Sequence, residues 1–338
     1  MPIQGFTRFR KHQLGKQSVI GTAVAATEVW PFRGNIVADP HWTDPDVDVG
    51  SIDPVLPPFR TSIDVTASET GPLTFNSVPV IMAAGVRGGV AATGGGTAKT
   101  WDYTALSLTA TTLDMFTDEW GDDVTTDWVQ AFGGIISRVQ MGFGPELGPW
   151  EASMDWMYAG RNTPVGPTAS LSVGSNPIWM YGADTEVYIN DSFATLGTSK
   201  LSDQVHSVQV TITNTMDAKR FANGSNTRFQ TMGWGLAGRE IMTEIVLAKS
   251  TEAIAETARW LANDAANRFL EIRTTSPTLA QASIPHSNSI KQRGYWMTRT
   301  DAEQGGNDTI VLTLRQNYAT DIAYAFKDTV VCTRTALP

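Results

Sequence analysis

The chain has 338 residues, 41% of them hydrophobic and only 17% charged, with a formal net charge of −9. This length allows one large domain or two of ordinary size with a sizeable core. The negative balance argues against a duplex-DNA-binding protein, which needs basic surface to displace counterions from the phosphates.

Two further classes are excluded by composition. The single cysteine, Cys332, rules out an intrachain disulfide framework. No apolar run approaches the roughly 18 residues of a membrane-spanning helix, so we expect no membrane association.

Residues 1–58 are predicted to form an N-terminal arm followed by an extended loop. Basic residues precede the first acid of the chain, Glu28, and could dock on an acidic neighbour: Arg8, Arg10, Lys11 and Lys16. Frequent prolines between residues 39 and 58 exclude a helix and a central strand there. Asp44, Asp46 and Asp48 begin like a calcium loop, but the glycine is one place late and Val55 replaces the closing glutamate, so we expect no metal site.

Most later elements are predicted to be strands. Alternating apolar residues begin at Ile63, and the apolar run 73–86 is a candidate helix weakened by Pro79. Residues 101–108 read as a strand, and 132–143 and 150–158 as paired strands around a turn. The clearest half-buried strand is 205–214, with Val208, Val210 and Ile212 on one face; the remaining strand candidates are 239–248, 309–315 and 324–333.

The strongest helix signal covers residues 250–270. Ser250 or Thr251 can cap it, and Glu252 and Glu256 suit its positive end. Its apolar stripe is expected to pack on a sheet: Ile254, Ala258, Leu261, Ala265 and Phe269.

A weak internal repeat is suggested by the order strand, helix-like run, strand, which occurs once in each half of the chain. We therefore expect two β units, at 59–165 and 166–338, after the segment 1–58.

No catalytic constellation is visible. The four histidines, His12, His41, His206 and His286, lack metal-ligand spacing. Cys332 has no activating partner, so we expect no enzyme activity, no metal and no cofactor. Several tryptophans adjoin carboxylates, as in sugar-binding clefts, but strand neighbours point to opposite faces, so core tryptophans with acids outside fit the pattern equally well.

Several runs of the sequence together resemble the major tail tube proteins of long-tailed bacteriophages, particularly the larger members. The first half carries RTSIDVTASETGPLTFNSVPVIMAAGVRGG, KTWDYTAL, DEWGDD and WVQAFGGIISRVQMGFGPELGPWEASMDWMYAGR. The second half carries ADTEVYINDS, HSVQVTITN, REIMTEIVLA and the helix at 250–270. The resemblance spans about residues 25–335 and is one of pattern and order.

The resemblance implies a mainly β fold: tail-tube-type β-sandwich or barrel units with a flanking helix and long loops, here two fused pseudo-repeats. It implies a structural virion protein whose rings stack into a tube for genome ejection. The rings would be trimers with pseudo-sixfold symmetry, or hexamers. The implied partners are the tape measure, terminator and distal tail proteins, and DNA would pass through without specific binding. The protein would be found in the virion tail, and in the host cytoplasm during assembly.

Two residue groups follow from this implied role. Candidate inter-subunit contacts are Arg8, Arg10, Lys11, Lys16, Trp42 and Pro57. Candidate acidic residues of the lumen or an interface are Asp114, Asp118, Glu119, Asp122, Asp123 and Asp127.

Two alternative functions stay open. One is another ring component of the tail or baseplate, such as a terminator or distal tail protein. The other is a carbohydrate-binding β-sandwich that uses exposed pairs of tryptophan and carboxylate.

Overall fold

The structure, a computed structural model, describes residues 10–45, 57–105, 112–122, 128–163, 165–171, 177–201, 203–221, 230–262, 267–304, 307–317 and 325–338. Within these residues the chain is mainly β, with sixteen strands linked by antiparallel pairing and two α-helices. The first-half elements are β1 (Lys11–Gln17), β2 (Glu28–Trp30), β3 (Arg33–Thr43), β4 (Phe59–Pro72), α1 (Val78–Gly85), β5 (Lys99–Ala105), β6 (Met115–Gly121), β7 (Val129–Phe143), β8 (Glu151–Tyr158) and β9 (Gly160–Asn162). The second-half elements are β10 (Thr185–Asn190), β11 (Val205–Lys219), β12 (Gly233–Ala248), α2 (Thr251–Leu261), β13 (Arg268–Gln281), β14 (Ile284–Gln304), β15 (Asn307–Gln316) and β16 (Phe326–Cys332).

The strand pairing repeats within the chain. The first repeat pairs its strands in the order β1-β6-β7-β8-β4-β3. The second repeat pairs its strands in the order β10-β13-β14-β15-β12-β11. Corresponding strands also follow one another in the same sequence order, with a helix after the third strand of each repeat. The suggested repeat is therefore present, although β13 corresponds to β6 and not to β5, which pairs with β16.

Local irregularities confirm the correspondence. Against β8, strand β7 has a bulge between Ile136 and Arg138. Against β15, strand β14 has a bulge between Trp296 and Thr298. A glycine, Gly134 or Gly294, lies two residues before each bulge. The two repeats can thus be matched residue by residue along these strands.

Helix α1 lies at the centre of the apolar core. All eight of its residues are buried, and it packs against β5, β7 and β16. Pro79 falls in its first turn, where a missing N–H costs nothing. The candidate helix within 73–86 is thus confirmed in a shorter form.

Helix α2 flanks the sheet and departs from the predicted packing. It ends at Leu261, and Phe269 belongs to β13. It buries Ala253, Glu256 and Thr257. Ile254 and Leu261, expected in the buried stripe, are 53% and 69% exposed. The stripe prediction is wrong because Glu256 is drawn inward by the guanidinium of Arg268.

The predicted cap is confirmed, since the Ser250 hydroxyl accepts from the N–H of Ala253.

The predicted arm and loop are also corrected. Residues 11–43 contain β1, β2 and β3, which all pair with other strands of the sheet, and even Pro40 lies opposite Ile63 of β4. β1 is held between β2 and β6, and its buried residues include Leu14 and His12, so this segment is not a free arm. Residues 46–56, with most of the acidic loop, lie outside the described part of the chain.

Several strand predictions are confirmed. Strands β7 and β8 pair as expected. In β11, Val208, Val210 and Ile212 are buried while Gln209 is exposed.

Neither helix in the described residues is long and apolar enough to cross a membrane.

Candidate assembly edges

One junction joins the two repeats through strand edges. The second half of β7 pairs with β11, from Arg138 opposite Thr213 to Phe143 opposite Val208. This half of β7 also pairs with β8 on its other side. β11 therefore covers an edge of the first repeat, and β7 covers the outer edge of the second.

The strand that corresponds to β11 in the first repeat is β3, and its outer edge is free along most of its length. β3 pairs with β4 only. Near its start, the carbonyl of Gly34 accepts the indole N–H of Trp120. Beyond it, Val37 is 49% exposed and residues 39–43 are all exposed. Among the described residues, no strand pairs with this edge.

The strand that corresponds to β7 in the second repeat is β14, and its second half is free on the matching side. Residues up to Gly294 pair with β13 on that side, while residues 294–304 pair with β15 on the other. Along this free edge, residues 297, 298 and 300–303 are exposed. No described strand pairs with them on this side. The carbonyl of Met297 accepts a long hydrogen bond from the Trp260 indole of α2.

The predicted basic contacts do not form a separate arm. Lys16 lies in β1 and its ammonium bonds the Asp114 carboxylate of the same chain at 2.9 Å. Arg10 stands over the Trp120 ring at 5.2 Å, and Lys11 is exposed. These contacts bind the N-terminal strand to its own subunit, while Arg8 lies outside the described residues.

The other two predicted contacts are placed at a surface. Trp42 is 58% exposed near the end of β3, and Pro57 is exposed just before β4. Phe59, at the start of β4 and opposite Thr43 of β3, is exposed as well.

The predicted acidic surface is corrected by the structure. Asp118 and Glu119 of β6 are buried within the subunit, so they cannot line a lumen. Asp114 is largely buried against Lys16, and Asp122 is half-buried at the end of β6. Asp123 and Asp127 lie outside the described residues. Glu119 is held by the backbone N–H of Ala26 and by Thr168, contacts that no local sequence pattern announces.

Asp118 belongs to a buried cluster with His12 of β1 and Glu69 of β4. The His12 Nδ1 atom lies 3.3 Å from Glu69 Oε1 and 3.8 Å from Asp118 Oδ2. Burial raises the pKa of Asp118 to about 7, and the negative charge of Glu69 adds to that rise against the opposing effect of His12. Burial alone would lower the pKa of His12, but Asp118 and Glu69 outweigh it and hold this pKa above its usual value. Sequence reasoning missed the cluster because its residues come from three separated strands.

The tryptophans next to carboxylates are mostly core residues. Trp101, Trp150 and Trp156 are buried, with their neighbouring acids turned outward. Trp120 is the reverse case, half-buried beside the buried Glu119. The described tryptophan–acid pairs therefore offer no exposed aromatic platform beside a carboxylate.

Comparison of the sequence with models of protein families gives no match, and comparison with curated proteins gives no significant similarity.

Proposed function

We propose that the protein is a structural subunit that assembles head-to-tail into rings, and that stacked rings form the tail tube of a long-tailed bacteriophage. The assembly part of the proposal is carried by one observation: the repeat junction is made once inside the chain, and the matching pair of edges is left open. The tail-tube part is supported by the sequence resemblance.

The internal junction supplies a template for the contact between copies. Ile36, Ala67, Trp156 and Ile136 form one row across the first repeat. Val210, Thr243, Leu314 and Trp296 form the corresponding row of the second repeat.

This correspondence fixes a register for the open edges. Inside the chain, Thr211 of β11 lies opposite Gln140 of β7. The corresponding residues are Val37 of β3 and Thr300 of β14. Repeating the junction between two copies therefore places Val37 of one copy opposite Thr300 of the next.

Such a contact is heterologous, because two different edges meet. Repeated heterologous contacts close into a ring when the rotation closes, and in doing so they cover the open edges of β3 and β14. Since each chain carries two repeats, a closed ring has twice as many repeats as chains. This is the arrangement expected for a trimer with pseudo-sixfold symmetry.

The charge of the protein suits a conduit. Each chain contributes a net charge of −9, and a ring multiplies it. A negative field repels phosphates, so DNA would slide without adhering.

The first test is negative-stain electron microscopy of the purified protein, with light scattering to give the mass per ring. Rings or tubes with a central hole are expected. A protein that stays monomeric at high concentration, alone and with its tail partners, would overturn the proposal. A single ring that never extends would point to a terminator or distal ring component.

The register is tested by cross-linking the Val37→Cys/Thr300→Cys double variant under mild oxidation. Directly opposed residues have Cβ atoms about 4.5–5.5 Å apart, close enough for a disulfide after a small shift. Covalent multimers ending at the ring size are expected. The native Cys332 is buried, and the Cys332→Ser background keeps it from forming a disulfide with the new cysteines.

The matched control is Val37→Cys/Asp301→Cys, which shifts one cysteine by a single residue to the opposite face of β14. It should stay unlinked. Equal cross-linking of both variants, or none in a preparation that forms rings, would disprove this register while leaving ring formation itself to the microscopy.

A further inference from the structure

We propose that His12, Glu69 and Asp118 bind a divalent transition-metal ion, with Zn²⁺ as the best match, that fastens β1 and β6 to β4. The three residues are 96% or more buried and come from strands far apart in the sequence. The proposal is independent of ring assembly.

The donor atoms are close enough to share one ion. One donor atom from each residue can be chosen so that all three lie within 4.8 Å of one another. Zn²⁺ binds imidazole nitrogen and carboxylate oxygen at about 2.0–2.2 Å, which puts tetrahedral ligand atoms about 3.3–3.6 Å apart. The separations of His12 Nδ1 from Glu69 Oε1 and Asp118 Oδ2, 3.3 and 3.8 Å, are near that range.

Three atoms of the cluster are buried without a hydrogen bond. These are His12 Nδ1, Glu69 Oε1 and Asp118 Oδ1. Buried polar atoms nearly always have a partner, and one ion shared by the three residues would supply it. Asp118 Oδ1 is the candidate for a fourth ligand atom.

The other polar atoms of the three residues form hydrogen bonds with neighbouring groups, as the ligands of metal sites usually do. The Nε2 atom of His12 lies 3.3 Å from the carbonyl of Gly34, which can only accept, so Nε2 carries a proton and Nδ1 is the nitrogen that a metal ion would take. The indole N–H groups of Trp30 and Trp156 both donate to Glu69 Oε2. The Tyr158 hydroxyl donates to Asp118 Oδ2 at 3.0 Å.

Charge balance favours a cation. With a neutral imidazole, the two ionised carboxylates place two negative charges in the core. Among the described residues, neither carboxylate forms an ion pair with a lysine or arginine. A divalent ion would neutralise both charges, and in a closed site its role would be structural. The alternative is that bound protons neutralise the two carboxylates.

The test begins with the wild-type protein, purified without chelator or metal-affinity resin and analysed for metals by mass spectrometry. About one zinc per chain is expected. Removing it with a chelator should lower the melting temperature, and adding Zn²⁺ should restore it. Replacement by Co²⁺ should give the visible absorption bands of a low-coordinate N/O site.

The matched variants are His12→Gln and His286→Gln. Both histidines are buried, but His286 has no described carboxylate ion pair. His12→Gln should lose the metal and the cobalt bands, whereas His286→Gln should keep them. If His12→Gln does not fold, Asp118→Asn replaces it.

A wild-type protein with negligible metal, whose melting temperature responds to neither chelator nor Zn²⁺, Mn²⁺ or Co²⁺, would overturn the proposal. The cluster would then be a network of shared protons. Metal retained at full stoichiometry in His12→Gln would equally overturn it.

Discussion

The two repeats have the same strand order but differ in what covers one pair of edges. Where β7 meets β11, Val139, Met141, Val210 and Ile212 are buried. The corresponding open edges, residues 36–39 and 298–303, read IVAD and TRTDAE. Charged residues on an open edge discourage indiscriminate pairing, and Pro40 removes one N–H donor from β3. In the proposed assembly, the charges would leave each of these edges free to accept one specific partner.

The helices of the two repeats differ in the same sense. α1 is wholly apolar and enclosed, whereas α2 lies outside and leaves Ile254 and Leu261 exposed. The helix of the first repeat is therefore part of the core, whereas the helix of the second repeat leaves apolar side chains on the surface.

The largest effect is expected from Gly142→Val in the internal junction. A Cβ at Gly142 would clash with the backbone carbonyl of Val208 in β11, and neither backbone can move without breaking the ladder. We expect a loss of more than about 4 kcal/mol in the free energy of unfolding. Urea denaturation followed by tryptophan fluorescence measures it.

The matched variant is Ala302→Val, at the corresponding position on the open edge of β14. It should change the stability of the monomer by less than about 0.5 kcal/mol, because residue 302 is exposed. Similar losses in the free energy of unfolding for the two variants would mean that the β14 edge is covered within the monomer, as the β7 edge is.

A second pair of variants compares the helices. Ile81 of α1 is 1% exposed, and Ile254 of α2 is 53% exposed. Ile81→Ala should cost about 2–5 kcal/mol through lost burial and a cavity, while Ile254→Ala should cost less than about 0.5 kcal/mol. Denaturant titration of both variants tests this, and a large cost at Ile254 in the monomer would show that α2 is packed against the core after all.

The strands could be predicted from the sequence because alternation is a local signal. Val208, Val210 and Ile212 are buried as the period of two predicts. The side of α2 that faces the sheet could not be predicted, since Glu256 is buried by Arg268 and by the indole N–H of Trp296. Both partners come from later strands.

The candidate site was harder to predict than the fold. Asp118 and Glu119 look like surface acids in the sequence, and only the fold supplies their donors from distant segments. The open edges were not predicted at all, because which edge is covered depends on the order of strands in the sheet. The repeat of element order was the one signal that pointed towards them.

Buried carboxylates are satisfied differently in the two repeats. Glu69 of the first repeat accepts from two indole N–H groups. Glu256 and Glu271 of the second repeat are paired with the guanidinium groups of Arg268 and Arg273. Asp328 of β16, which joins β14 to β5, is buried with no hydrogen bond to either oxygen among the described residues.

Asp328→Asn sharpens this last contrast through the pH dependence of the stability. Burial, with a further contribution from the negative charge of Asp102, raises the pKa of Asp328 well above its usual value. Below about pH 4 the carboxyl is protonated in both the folded and unfolded chains and contributes no pH dependence. Above that pH only the carboxyl of the unfolded chain ionises, so the wild type loses up to about 1.4 kcal/mol of stability per pH unit until the folded pKa is reached.

Asparagine cannot ionise, so the stability advantage of Asp328→Asn should grow as the pH rises from 4 to 8. Urea denaturation at each pH measures this advantage. The exposed Asp217→Asn controls for the loss of one charge, and an advantage for Asp328→Asn that stayed constant with pH would show that Asp328 is ionised in the folded protein and has a partner.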